Sequence, residues 1–219
     1  MKVTFISDIA CPWCAIGLAS LEQAITRIGD DIPIDLQFEP YELNPSMPKE
    51  GEETIPYLAR KYGSTPEQLA QNRQRIVERG AAVGFTFGRR PRVWNTFDAH
   101  RLLAWAAEEG KQWPLKRALL KAYHADDENP SDSTVLSRLA SEVGLDPVRT
   151  ATILATDAYA QTVRDREAHF QRLGITGVPA VILDDRHLVS GGQPPEVFEQ
   201  AIRDAAASLR ASAIPARAS

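Results

Sequence analysis

Both cysteines of this chain fall in one tetrapeptide, Cys11-Pro12-Trp13-Cys14. Two cysteines placed at random in 219 positions would rarely land so close together. The residues before them, Val3 to Ser7, are β-branched and aromatic and read as a buried strand. The residues after them read as a helix from Pro12 to Ile28, with Leu18, Leu21, Ile25 and Ile28 at spacings of three and four. Gly29-Asp30-Asp31 ends it. The tetrapeptide therefore sits where a strand turns into a helix. The first turn of a helix has unpaired N–H groups and the positive end of the helix dipole. A thiolate on Cys11 is stabilised there, so its pKa is expected below the free value of about 8.5. Trp13 brings no charge of its own, so the lowering is expected to be moderate. Cys14, one turn on, can close a small disulfide with Cys11. Pro12 suits the first helical position, where its missing N–H is not needed.

The rest of the chain has three parts. Ile34 to Glu39 alternates apolar and polar as a strand, and the short connection implies that it pairs in parallel with the first. Pro40 to Glu53 reads as a long loop. Residues 54–173 carry helical patterns. One starts at Thr65-Pro66; others run over 96–109, 115–124, 132–143, 147–154 and 158–173, with Gly144 and Gly174 placed as C-terminal caps. Strand character returns at Ala180–Leu183 and His187–Ser190, joined by the turn Asp184-Asp185-Arg186. A closing helix begins near Pro194-Pro195. The order β-α-β, helices, β-β-α lets the outer parts share one sheet with helices on both faces. The expected divisions are 1–53 with 174–210 as the sheet-bearing domain, 54–173 as an inserted helical domain, and 211–219 as a flexible tail.

Other chemistries fit the cysteine pair less well. A bridge over four residues constrains the unfolded chain little, so a purely structural disulfide gains almost nothing. A structural zinc wants four ligands, and the histidines (His100, His124, His169, His187) show no paired spacing. A C-x-x-C beside a βαβ pattern reads as a redox dithiol. The formal charge of −4 argues against a broad nucleic-acid footprint. The run Arg89-Arg90-Pro91-Arg92 reads as a solvated loop. Gly191-Gly192 reads as a turn and not a nucleotide loop. Trp94, Trp105 and Trp113 read as core or groove walls. No stretch approaches the roughly 18 apolar residues of a membrane span, and Met1-Lys2 leads at once into the first strand. The expected location is the cytoplasm, in keeping with the low cysteine content.

Five stretches carry a resemblance. They are Ser7–Cys14, Phe38–Pro45, Asn95–Leu102, Leu173–Pro179 with its Thr176-Gly177-Val178-Pro179, and Val189–Pro194. In this order and spacing the chain resembles the thioredoxin superfamily, in its DsbA-like branch. Within that branch it is similar to the FrnE-type oxidoreductases, relatives of 2-hydroxychromene-2-carboxylate isomerases. The resemblance implies an α/β, thioredoxin-like fold with a large α-helical insertion. It implies a thiol–disulfide oxidoreductase, with Cys11 attacking and Cys14 resolving. It also implies a cis Val178–Pro179 bond packed against the dithiol, although a proline before a strand is by itself more often trans. Pro12, Trp13, Val178 and Pro179 are then active-site neighbours, and Asn44, Asn95 and His100 are candidates for a substrate groove. From the residues alone, His100 reads equally as a satisfied helix histidine, Asn95-Thr96 as a helix cap, and Trp13 as either a packed side chain or a substrate platform. Ala15 stands where relatives often carry an aromatic residue, which implies a less filled surface near the dithiol.

The expected partners are protein or small-molecule disulfides and dithiols, with no nucleic acid, no membrane, no metal and no organic cofactor. Glutathione is a candidate co-substrate. The expected assembly is a monomer or homodimer. The alternative activity is a glutathione-dependent isomerase or transferase acting on small aromatic substrates.

Overall fold

The computed structural model describes residues 1–213. In chain order its elements are β1 (Lys2–Ser7), α1 (Pro12–Ile28), β2 (Asp35–Pro40), β3 (Glu52–Glu53), α2 (Thr54–Tyr62) and α3 (Pro66–Ala82). Then come β4 (Arg92–Val93), α4 (Phe97–Glu108), α5 (Gln112–His124), α6 (Ser133–Glu142) and α7 (Pro147–Ala155). The chain closes with α8 (Ala160–Arg172), β5 (Ala180–Leu183), β6 (His187–Ser190) and α9 (Pro195–Ala213). The main sheet has the order β2-β1-β5-β6. β1 pairs in parallel with β2, Phe5 opposite Phe38, and antiparallel with β5, Phe5 opposite Val181. β5 and β6 form an antiparallel hairpin. Asp184 and Asp185 take positive φ at its turn, which matches the twist of a tight hairpin.

β1 is the centre of the sheet, and from Val3 onward every residue is buried. Its side chains alternate between faces. Val3 and Phe5 join the main core with Leu18, Leu21, Phe198 and Ile202 from α1 and α9. Ile6 points into a second cluster with Phe170 of α8, Ile175 and Ala180. The inserted helices α4, α5 and α8 pack on β2, and α5 also reaches α1. One apolar cluster runs without a break from Val3 and Cys14 through Leu102 and Leu119 to Leu139 and Ile153. Trp94 and Trp105 are buried in it, and Trp113 is packed at its edge.

Local sequence explains most boundaries. Pro12 opens α1, and Gly29 at φ 56° closes it. Thr65 caps α3 through a reciprocal pair with Gln68, and Pro66 follows in the first turn. Helix α5 starts three residues before the expected Leu115. Pro114 lies in its first turn, where a missing N–H breaks no helical bond. The two-residue ladder of β3 and β4 was not legible in the sequence, because two residues carry no alternation. Helix α9 runs to Ala213, past the expected start of a tail at 211; the rest of that segment, 214–219, lies outside the described residues. Among the described residues no helix is long and apolar enough to cross a membrane.

Phe198 is fully buried where α9 meets α1 and the sheet. Phe198→Ala is expected to cost about 3–5 kcal/mol, because the lost transfer energy and the cavity add. Urea unfolding at constant m-value checks it.

Candidate active site

β1 ends at Ser7, and the next residue is a fully buried aspartate. Asp8 Oδ1 accepts from the Ala10 N–H (3.1 Å) and the Thr96 hydroxyl (2.8 Å), with His100 Nε2 at 3.4 Å. Asp8 Oδ2 accepts from the Leu43 N–H (2.7 Å). Burial raises the pKa of this carboxyl, but His100 and the two backbone donors together outweigh it and leave the net value below the ordinary one. The carboxylate thus ties the β1–α1 turn to the loop after β2 and to the start of α4. The Asp8 carbonyl accepts the Cys11 N–H at 3.3 Å, which sets the turn that presents the cysteines.

Cys11 is the N-cap residue of α1, and Cys14 lies one turn inside it. Cys11 is 3% exposed and Cys14 0%. The sulfurs are not bridged. Their acidities diverge. The hydrogen bond from Cys14 lowers the Cys11 pKa against the cost of burial, with help from the Cys14 and Trp13 N–H groups; the Asp8 charge opposes it. Burial raises Cys14 well above the ordinary thiol value, and its bond to Cys11 and the Cys11 charge raise it further; the charge of Lys116 pulls it back.

The Val178–Pro179 peptide is cis. The carbonyl of that peptide, on Val178, lies 3.5 Å from Cys11 Sγ and accepts from the thiol. Close approach bears on two glycines here. A Cβ on Gly17 would sit 3.1 Å from Pro179 Cγ, and one on Gly192 would sit 2.8 Å from the Trp13 carbonyl oxygen. The Gly191-Gly192 turn therefore packs directly on the dithiol helix. Pro12 and Trp13 are half-buried. Trp13 packs toward Ile16, Ile76 and Val83, and the Arg79 guanidinium lies 6.0 Å from its ring centre. Arg79 also donates to the Gly192 carbonyl at 2.9 Å.

The groove candidates take other places. His100 is 2% exposed and directed at Asp8, so it presents no surface to a substrate. Asn44 Oδ1 accepts from the Tyr57 hydroxyl and from Lys61 Nζ, which ties it to α2. Asn95 donates to the Met47 carbonyl and accepts the Phe97 N–H, so it caps α4, while the Thr96 hydroxyl goes to Asp8. Ala15 is buried and lines an open groove of about 1080 Å³ between α1 and α5. One residue past Cys14 is turned about 100° around the helix.

The reading of Arg89–Arg92 as a solvated loop holds for Arg89 and Pro91 and is corrected for Arg90 and Arg92. Arg90 Nη2 donates to the Ala10 carbonyl at 3.0 Å, and its guanidinium lies 5.4 Å from the Tyr123 ring centre. Arg92 donates to the carbonyls of Glu50 and Gly51. Asp127 holds the backbone by accepting the N–H groups of Arg89 and Arg90. The nearby proline gave no sign of this, because the partners are distant in sequence. Three more residues near the dithiol escaped the sequence reading. Tyr62 of α2 is exposed yet close enough for the charges of Cys11 and Arg90 to act on its hydroxyl. His124 Nε2 donates to the Ile9 carbonyl at 2.8 Å. Lys116 is fully buried. A charged or imidazole side chain on the apolar face of a helical pattern was the available signal for both Lys116 and His124.

Two outcomes follow. Iodoacetamide at neutral pH is expected to alkylate Cys11 in preference to Cys14, and thiolate absorbance is expected to report a first pKa below that of a free cysteine. Burial, followed by the charge of Arg90, drives the His124 pKa well below its ordinary 6.5. The unfolded chain then binds the extra proton, so stability is lost as pH falls below about 6.5. His124→Gln is expected to remove that part of the slope, read from urea midpoints at neutral and mildly acid pH.

Comparison with known proteins places this site in context. The family model described as a DSBA-like thioredoxin domain matches residues 2–203. A crystal structure of a probable DsbA oxidoreductase, SCO1869 from Streptomyces coelicolor, is 35% identical. It superposes with a TM-score of 0.89 over 100% of this chain and 94% of that one. Two others are similar in fold alone. A 2-hydroxychromene-2-carboxylate isomerase structure has a TM-score of 0.73 at 13% identity, covering 98% and 100% of the two chains. The cytosolic disulfide reductase DsbM from Pseudomonas aeruginosa, solved with GSH, has 0.66 at 18%, covering 96% and 100%.

Proposed function

As the chain belongs to the DsbA-like thioredoxin domain family, we propose that it is a thiol–disulfide oxidoreductase working through a Cys11–Cys14 dithiol. The observation that carries this reading is the opposed acidity of two buried sulfurs one helical turn apart, one lowered and one raised. The Cys11 thiolate attacks one sulfur of a substrate disulfide. That S–S bond breaks, and the released thiolate takes its electron pair and then a proton from water. Cys14 loses its proton and attacks Cys11 Sγ in the mixed disulfide. The second substrate thiolate leaves, so the chain is oxidised by two electrons and the substrate reduced by two. Run backwards, the oxidised chain gives its disulfide to a substrate dithiol.

The Val178 main chain, its carbonyl beside Cys11, offers an extended substrate a partner for strand-like pairing. Trp13 and Val178 supply apolar contact on either side. The exchange uses no metal and no organic cofactor. Glutathione would enter as a thiol co-substrate, in line with the glutathione held by the similar fold of DsbM. Low cysteine usage supports a reducing compartment, the cytoplasm, as the working place. The alternative is glutathione-dependent isomerisation of a small aromatic substrate, supported by the fold of the chromene-carboxylate isomerase.

Insulin reduction with dithiothreitol separates these readings. The wild-type chain is expected to accelerate it, Cys11→Ser to abolish the acceleration, and Cys14→Ser to trap a mixed disulfide. A folded wild-type chain without acceleration, together with glutathione-dependent isomerisation that survives Cys11→Ser, would establish the isomerase instead.

A further inference from the structure

Two arginines beside the cysteines lack the carboxylate partners that others on this chain have. Arg27, Arg138 and Arg166 pair with Glu196, Glu142 and Glu39. Arg79 and Arg90 form no ion pair among the described residues; their side chains go to main-chain and hydroxyl oxygens. Arg90 Nη2 donates to the Ala10 carbonyl, next to Cys11, and its Nε to the Tyr123 hydroxyl. The acid nearby, Asp127, is taken by the backbone of Arg89 and Arg90 and by the Arg89 side chain.

Arg79 reaches from α3 across Trp13. Its Nη2 donates to the Gly192 carbonyl at 2.9 Å, and its guanidinium lies 6.0 Å from the Trp13 ring centre. The residue is half-buried, and its Nε and Nη1 donate to no described residue. A guanidinium fixed at one corner, with donors left over, is suited to a carboxylate. The turn it grips is itself fastened to the active site, because the Gly191 N–H donates to the Pro179 carbonyl at 2.8 Å. An extended substrate paired with the Val178 main chain has its cysteine at Cys11. Side chains two residues before and after that cysteine point the same way, about 7 Å along the strand. The chain as a whole carries a charge of −4, so its long-range field disfavours an acidic peptide. A preference for one has to come from local groups.

We propose that Arg79, assisted by the charge of Arg90, selects disulfides that carry a carboxylate two residues from the reacting cysteine. The proposal rests on the dithiol exchange described above and names its substrate class, which is an extended acidic peptide segment. The carboxylate accepts from the donors that Gly192 leaves free, and the peptide cysteine is thereby held at Cys11. Arg79 is a specificity residue and moves no proton or electron pair.

Peptides of the form acetyl-X-Ala-Cys-Ala-X-amide, with X as Glu, Gln or Lys, test this when each is joined to 2-thiopyridine through a disulfide. Cys11 of the reduced full chain attacks the peptide sulfur. The bond to thiopyridine breaks with its pair on the leaving group, which takes a proton from water and absorbs as the thione. Each rate is divided by that of N-acetylcysteine amide on the same peptide, which removes intrinsic reactivity. The wild type is expected to prefer Glu to Gln by about tenfold, as for one charge-assisted hydrogen bond, with Lys last. The preference should shrink at high salt. Arg79→Gln is expected to reduce it to less than about threefold, and Arg79→Lys, which keeps the charge but not the fork, to retain about half of it. Circular dichroism verifies that both variants fold. A purely structural clasp on Gly192 gives a different signature: Arg79→Gln slows all three peptides equally and the ratio stands, which overturns the proposal. A wild-type ratio near one overturns it with no variant at all. Glutathione joined to thiopyridine carries its carboxylates at the chain ends and should lose less than about threefold in Arg79→Gln; a loss equal to that of the Glu peptide overturns the assignment to extended peptides. If no peptide releases thiopyridine faster from the wild type than from Cys11→Ser, the dithiol reading itself fails.

Discussion

A single buried carboxylate holds the surroundings of the two cysteines together. Asp8 stands at the end of the central strand with no water around it, so its charge survives only because donors surround it. The donors come from the turn into α1, the loop after β2, and the start of α4. Those are the sheet-bearing part and the helical part of the chain. The bonds that keep Asp8 ionised also hold the inserted helices on the sheet. Loss of any one donor would leave part of a buried charge unanswered, and such groups are the costly ones. The position of the cysteines follows, because the Asp8 main chain carries the hydrogen bond that starts their turn.

The helical part does more than cover the sheet. It sends Arg90 to the Ala10 carbonyl, next to Cys11, and Arg79 to the Gly192 carbonyl on the far side of Trp13. It also carries the buried Lys116 and the exposed Tyr62, both within the electrostatic reach of the cysteines. Within the insertion, Arg101 is buried. It donates to the carbonyls of Ile153, Thr156 and Ala158 and pairs with Asp98, closing the α7–α8 turn over α4. Positive side chains thus neutralise main-chain oxygens at each seam. The electrostatic setting of the cysteines is therefore shared between the short segment that carries them and helices a hundred residues away.

Local rules gave the elements and tertiary partners gave the site. Pro12 and Gly29 bound α1, and the two aspartates at 184 and 185 mark the hairpin, because these signals act within one turn of chain. The dithiol and Pro179 were legible for the same reason, once the order of strands and helices was known. Arg90, Lys116 and His124 were not. The pattern of α5 puts Lys116 and His124 on its apolar face, but what any of the three meets lies far away in sequence. Asn44 and Asn95 show the converse error. Their amides are spent elsewhere, Asn44 on Tyr57 and Lys61 of α2 and Asn95 on the Met47 carbonyl and the Phe97 N–H.

The two glycines at 17 and 192 have a mechanical consequence. Gly192 occupies a gap too narrow for a methyl group between the dithiol helix and the turn before α9, and Gly17 a tight one between that helix and the Pro179 ring. Three segments meeting at such clearance cannot slide against one another without collision. One side of the dithiol is therefore a firm wall, where the Gly192 backbone meets the Trp13 carbonyl and the Pro179 ring meets Gly17. The other side is built differently: α2 buries none of its residues, and it is held by the Thr54 N–H on the Pro91 carbonyl at its start and by the Tyr57 and Lys61 side chains on Asn44 and the Leu43 carbonyl. Substrates of different shape would be accommodated on that compliant side, while the sulfur chemistry stays registered to the hard one.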